Sequence, residues 1–244
     1  MDYVDISLPG FNMLSDVRGT LSGVRMSLAG NQWFVVNELM DYLGRLGFRV
    51  YVETIPPGLV RERALGRALR VGNLVIDVRP DIVSLPTGML KGLNVTEYFE
   101  YVENDLAIVY GSREVRDWCE LRGVRVAIPN PVTEGIGQLF RELYMEYCGD
   151  YEGLISGNAY LTRIHHREIP ALLQGGLIDA GVVWRTEATY WGFKHVVPTR
   201  NRVGKLAFAL MPWASGEARE LFRHLRDPEV RAIYEKYGFR WVAP

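Results

Sequence analysis

The sequence predicts an α/β fold of two lobes, each a largely parallel sheet covered by helices. Three observations predict it. Strand and helix signals alternate along the chain, the pattern of βα units. Two strand-to-loop junctions, over residues 124–147 and 172–187, carry glycine-rich or polar turns. Two extended passages, Glu103–Tyr110 and Val196–Asn201, carry no helix signal and mark crossings between lobes. They divide the chain into lobe 1, residues 1–104 and 197–244, and lobe 2, residues 105–196. A chain of 244 residues has room for two such units. Its 48% hydrophobic and 23% charged residues suit a globular core, and a net charge of −1 leaves no basic footprint for nucleic acid.

The elements follow in order. The first 22 residues read as a polar, turn-rich lead-in. Val24–Leu28 is a short strand. Gly30-Asn31 opens a helix from Gln32 to Leu46, with Trp33, Val36, Leu39, Met40 and Leu43 on one face. Arg49–Glu53 is the next strand, and Thr54-Ile55-Pro56-Pro57-Gly58 turns into a helix from Leu59 to Leu69. Proline suits a helix entrance, where its missing N–H would be unpaired anyway. Leu74–Val78 and Ile82–Leu85 are strands separated by Arg79-Pro80-Asp81. Val124–Ile128 reads as a buried strand, residues 130–137 as a turn, and Gln138–Tyr147 as a helix. After Gly175-Gly176, the strand Ala180–Trp184 delivers Trp184, Arg185 and Thr186 to its C-terminal tip, where open α/β sheets bind ligands. The last helices are Gly216–Leu225 and Pro228–Tyr237, the second opened by Asp227-Pro228.

Several function classes fall away. No Gly-x-Ser-x-Gly elbow, Walker loop or His-Glu-x-x-His helix is present, so the expectation is a protein that is not an enzyme. Cys119 and Cys148 are too few for a four-sulfur zinc site. They leave two readings open, a disulfide or two buried free thiols, the second being the commoner. No apolar run approaches the ~20 residues of a bilayer span, and no signal core follows Met1. The expected location is extracytoplasmic if an export signal has been removed, and cytoplasmic if the chain is complete.

The chain resembles the substrate-binding component of ABC importers, in the molybdate/tungstate-binding branch of the type II periplasmic-binding-protein fold. The resemblance rests on an ordered set of motifs. These are Ser27-Leu28-Ala29-Gly30-Asn31, Arg79-Pro80-Asp81-Ile82-Val83, Glu103-Asn104-Asp105-Leu106-Ala107-Ile108-Val109, Asn130-Pro131 with its glycine turn, Gly176–Trp184, and Asp227-Pro228-Glu229 to Gly238-Phe239. The resemblance implies two α/β lobes joined by two crossover strands, with a ligand cleft between them. It also implies a small oxyanion, molybdate or tungstate by preference, as ligand, an ABC permease as partner, a monomer, and no cofactor. Alternatives are another small ligand, such as a sulfate-like anion or a metal ion, and a cytoplasmic ligand sensor of the same fold.

An oxyanion needs hydrogen-bond donors and positive potential, which helix N-termini supply. Three candidate termini occur: Ala29, Gly30, Asn31 and Gln32; Pro57 and Gly58; and Thr133, Glu134, Gly135, Ile136 and Gly137. Glycine permits close backbone approach. Where the family often places serine the chain has Asn31, whose amide still donates. Pro57 donates nothing, so Gly58 N–H must serve. Trp184 stands where relatives place a tyrosine. Glu134 stands where archaeal tungstate-binding proteins place an aspartate, and His165 and His166 fall near their glutamate. A carboxylate beside an anion repels it, so Glu134 is expected either to reach the ligand's central metal or to turn to solvent. The two histidines are read as a capped loop, as a ligand contact with His166 foremost, or as part of a cation site with Glu134. The last is disfavoured, because adjacent histidines do not face one point from a strand. Arg185 and Arg167 either balance a dianion or form surface ion pairs.

Overall fold

In the computed structural model, which describes residues 2–244, the contacts divide the chain into two compact units. The first runs to Glu103 and resumes over Lys205–Pro244; the second is Asn104–Gly204. No helix among the described residues is long and apolar enough to cross a membrane.

The first unit begins with β1 (Tyr3–Asp5), β2 (Val17–Gly19), β3 (Val24–Ala29), α1 (Val36–Arg45), β4 (Val50–Ile55) and α2 (Pro57–Ala64). It continues with β5 (Ala68–Val71), β6 (Leu74–Ile76), β7 (Ile82–Pro86) and the first part of β8 (Glu97–Tyr110). Strand β3 pairs in parallel with β4 and β7, and every residue of β4 is buried, as expected of a covered parallel sheet. Three details differ from the sequence reading. The polar lead-in contains two strands, β1 on β5 and β2 on β4. Gly30–Gln32 forms one 3-10 turn, and α1 starts only at Val36. The helix expected to reach Leu69 stops at Ala64, because Gly66 takes φ +103° and the next residues pair with β1 and β6.

The second unit takes up the rest of β8, then β9 (Val126–Pro129), α3 (Gly135–Tyr147), α4 (Tyr151–Ser156), β10 (Ala159–Thr162) and α5 (His165–Gln174). It closes with β11 (Ala180–Trp184), α6 (Arg185–Trp191) and β12 (His195–Val196). Strand β9 is parallel to β10 and β11, and β11 is antiparallel to β8. Leu106, Trp118, Ile128, Phe140, Leu143 and Val182 are fully or almost fully buried in its core. Cys119 and Cys148 form a disulfide, with Cα atoms 5.3 Å apart, in place of the free thiols. Asp117 caps the 3-10 segment Trp118–Gly123, whose buried Trp118 turns Cys119 towards the end of α3.

The chain then forms β13 (Val203–Leu210), α7 (Gly216–His224), α8 (Pro228–Lys236) and β14 (Arg240–Trp241), with β13 antiparallel to β7 and β14 paired to β8. The sequence reading placed the return at Val197, whereas the chain rejoins the first unit at Lys205. The intervening residues are held by second-unit groups: Trp118 Nε1 donates to Arg200 O at 2.6 Å, and Asn201 Nδ2 to Leu106 O at 2.9 Å.

One device recurs in both units. Arg25 is the second residue of strand β3, and Asp81 precedes β7; the Asp81 carboxylate accepts Arg25 N, Nε and Nη2 at 3.0, 2.9 and 2.9 Å. Arg125 and Asp179 repeat the arrangement before β9 and β11, at 2.9, 3.1 and 2.7 Å. The clamp joins the amino ends of adjacent parallel strands and leaves their carboxyl ends to carry loops. The Asp81 side chain is 2% exposed and that of Asp179 29%, so the two should not contribute equally. Asp81→Ala is expected to cost about 2–4 kcal/mol, because it strands a charge-assisted network, and Asp179→Ala about 1 kcal/mol. Urea unfolding midpoints of the two variants check the order.

Candidate functional site

In the second unit the parallel strands β10, β9 and β11 run side by side, and a helix begins after each: α5, α3 and α6. Glu134 precedes α3, and its carboxylate is fully engaged. Oε2 accepts Asn130 N at 3.0 Å and Thr162 Oγ1 at 2.8 Å; Oε1 accepts His165 N at 2.9 Å and pairs with His165 Nδ1 at 2.5 Å. Glu134 is 1% exposed, so it does not turn to solvent: it is turned into the protein, towards an imidazole. On the far side of the ring, His165 Nε2 meets both oxygens of Glu187, at 3.1 and 2.9 Å. Burial pulls the pKa of this ring down, but the charges of Glu187 and Glu134 and their hydrogen bonds outweigh it and hold it at about 10. The ring is an imidazolium at neutral pH.

His165 and His166 open α5 rather than lying on a strand, and both are buried. Because the two nitrogens of His165 point to opposite carboxylates, the ring, Glu134 and His166 do not form one cation site. Among the described residues, the convergent group of metal-ligand type is Asp117, Cys119 and Cys148, and its two sulfurs are joined.

The helix starts differ in what occupies their N–H groups. At α5, Glu168 accepts Arg163 N and Ile164 N at 2.6 and 2.7 Å, and Glu134 accepts His165 N. At α6, Glu187 reaches back to the N–H of the cap residue Trp184 at 3.1 Å, which lies before the helix's own first donors. At α3 the cap residue Glu134 makes no side-chain bond to the helix, and the N–H groups of Gly135 and Ile136 have no intrahelical acceptor. By contrast, Asp150 and Ser215 cap α4 and α7 with their side chains. Gly137 is not an available donor, because its N–H bonds Glu134 O at 3.0 Å. It is glycine because a Cβ would lie 2.4 Å from Pro129 O, where α3 packs on the end of β9. Thr133 sits half-buried in the turn before Glu134, and the Ile136 side chain packs into the core.

Trp184 departs from its expected place, whereas Arg185 takes one of the two roles expected of it. The indole of Trp184 packs in the core, 7% exposed, and presses on Gly204, where a Cβ would lie 2.2 Å from the ring. Arg185 Nε bonds Asp105 Oδ2 at 3.3 Å, so this guanidinium is engaged in an ion pair.

In the first unit, Ala29 ends β3 and the turn Gly30–Gln32 follows. The Gln32 side chain is a core hub rather than a surface donor. Its Oε1 accepts Tyr101 OH and Tyr234 OH at 2.6 and 2.5 Å, and its Nε2 donates to Ser84 Oγ at 3.0 Å and to Ala29 O at 3.4 Å. It holds the turn from beneath. Asn31 is 5% exposed, with Oδ1 unpartnered. Helix α2 has Pro56 at its cap and Pro57 first in the helix, with no side-chain cap, so Gly58 offers the first N–H. A buried ion pair, Arg63 Nε to Glu53 Oε1 at 2.8 Å, anchors α2 to β4, and burial pushes the neighbouring Tyr51 hydroxyl well above its usual range.

Glu187, Thr162 and Glu168 were not among the expected site residues. Glu187 carried a readable signal: it lies three residues after the cap residue Trp184, the spacing at which a glutamate reaches back to the cap N–H.

Comparison with known proteins places the fold. The model of the bacterial extracellular solute-binding protein family matches residues 42–240. No curated protein sequence matches the chain. Among solved structures, the periplasmic molybdate-binding protein of Azotobacter vinelandii is 14% identical, with a TM-score of 0.73 over 91% of this chain and 99% of that one. The ABC-transporter substrate-binding protein of Agrobacterium tumefaciens is 12% identical, with a TM-score of 0.74 over 93% and 84%. The sulfate-binding protein of Mycobacterium tuberculosis is 17% identical, with a TM-score of 0.67 over 91% and 87%. These likenesses establish a shared mixed α/β fold of the periplasmic-binding-protein kind. With the family matched over most of its length, the chain belongs to the bacterial extracellular solute-binding proteins, a family of binders rather than enzymes.

Proposed function

We propose that the protein captures a small tetrahedral oxyanion, molybdate or tungstate in preference to sulfate, and delivers it to an ABC permease outside the cytoplasm. The observation that carries this reading is the start of α3. In the second unit Glu134 takes the first helical N–H of α5, that of His165, while the N–H groups of Gly135 and Ile136 at the start of the longer α3 remain without a side-chain cap. A 13-residue helix directs its positive end there, which suits an anion. The turn Gly30–Gln32 and Gly58 in the first unit are donors of the same neutral, main-chain kind. The proteins of similar fold include a molybdate binder and a sulfate binder, which supports an oxyanion as the ligand class. The motif resemblance favours molybdate or tungstate. Because Glu134 has its oxygens filled by four donors, the anion is proposed to keep its own four oxygens and to be selected by size.

The disulfide supports the location, since such bonds persist mainly in oxidising compartments. The protein is proposed to act as a monomer, without a cofactor and without nucleic acid. Calorimetric titration with tungstate, molybdate, sulfate and phosphate tests the reading. Tungstate or molybdate should bind well over tenfold more tightly than sulfate, a difference above about 1.4 kcal/mol. Sulfate binding as tightly as tungstate would defeat the preference, and binding of none of the four would defeat the oxyanion.

A further inference from the structure

We propose that His165 is a positioning residue: its ring ties the residue before α3 to the first turn of α6 and so fixes how the start of α3 presents its N–H groups. What α3 binds rests on the oxyanion reading above; the tie itself does not.

His165 is the first residue of α5 and follows β10, Glu134 closes the loop after β9, and Glu187 lies in the first turn after β11. One ring thus spans the ends of three adjacent strands. Both ring nitrogens face carboxylates, so both are satisfied as donors only when the ring carries two protons. A neutral ring would turn a lone pair on one carboxylate. Either way the tie breaks: with the lone pair on Nδ1, Glu134, from which α3 starts, keeps its backbone donors and Thr162 but loses the bond that orients it, and with the lone pair on Nε2 the link from Glu134 to α6 is lost.

The groups around the ring leave this arrangement as the controlling one. Glu134 faces it from the β9 side and Glu187 from α6. Arg185, also on α6, is bonded to Asp105. On β10, Thr162 donates to Glu134, and Tyr160 donates to Glu168 at 2.6 Å. On α5 itself, Glu168 accepts two backbone N–H groups, and the His166 ring stands edge-on at 5.9 Å.

The test is an NMR titration of the His165 ring and of the Gly135 and Ile136 amides from pH 6 to 11, in the wild type and in Glu187→Gln. Calorimetry with sodium molybdate accompanies it at each pH. The amides should shift with the same midpoint as the ring, and the midpoint should fall by at least about one pH unit in Glu187→Gln, which loses one of the two charges holding the proton. Molybdate affinity should drop about tenfold across that midpoint in each protein. His165→Gln, if it folds, should show neither amide titration. Amides that do not follow the ring, a midpoint shared by the two proteins, or an affinity constant through the midpoint would overturn the proposal. If the wild type binds no molybdate, the oxyanion reading fails alone, and the amide titration still decides the role of His165.

Discussion

Replacing Gly135 by proline should weaken molybdate binding about ten- to a hundredfold while leaving the melting temperature close to that of the wild type. Gly135 is the first residue of α3, and proline is favoured at that position because the N–H it lacks has no helical acceptor. Glu134 already has an extended backbone, φ −113° and ψ 122°, as the residue before a proline requires. The protein uses the same arrangement itself at Pro57 in α2. The substitution therefore removes one donor to a charged ligand, a bond of about 1.5–3 kcal/mol, without breaking the helix. Gly135→Ala keeps the N–H and separates loss of the donor from loss of space. Arg185→Ala should cost less than tenfold, because its guanidinium already has Asp105. Calorimetry on the three variants checks the order, and a larger loss for Arg185→Ala would mean that ionic pairing supplies most of the affinity. Gly137→Val is unsuited to the comparison, since its side chain would collide with the end of β9.

Stability should decline between about pH 6.5 and 10, and His165→Gln should flatten that decline. The His165 pKa is raised from 6.5 to about 10 in the folded protein. Its contribution is therefore fully present below pH 6.5, where folded and unfolded chains are both protonated. As pH rises through the window the unfolded chain gives up the proton and the folded chain keeps it. Stability then falls by up to about 1.4 kcal/mol per pH unit, until the folded ring also titrates near pH 10. The contribution is gone above that. Urea denaturation of wild type and His165→Gln at pH 6, 8 and 10 measures the difference in slope; parallel curves would mean that the ring is neutral in the folded protein.

Much of the fold was legible because its signals are local. The strand Ala180–Trp184 shows in the structure with the expected bounds, after a glycine pair and an apolar run. The proline entrance to α2 and the Asp227-Pro228 start of α8 follow from backbone chemistry at single residues. Errors gathered where partners distant in sequence decide. Ala68 and Leu69 end a helical pattern on paper, yet Gly66 ends the helix and β1, more than 60 residues earlier, supplies a ladder. The return to the first unit was read too early because nothing local shows that Trp118 and Leu106 bind residues 200 and 201.

At the candidate site the same division holds. The residues Gly135, Glu134, His165, Trp184 and Arg185 were picked out by type and by place beyond strand ends, properties a linear pattern carries. Their directions were not. Glu134 turns to His165, the Trp184 indole enters the core, and Gly137 serves packing, because each position sums contacts from strands and helices far apart in sequence. The sequence by itself determined the alternation of elements, the glycine and proline punctuation, and the neutral donors at the helix starts. Only the tertiary structure decided the Cys119–Cys148 pairing and the burial of one imidazolium between two carboxylates. The reason is physical: backbone preferences act within a few residues, whereas desolvation and charge pairing depend on which distant groups the folded chain brings within about 3 Å.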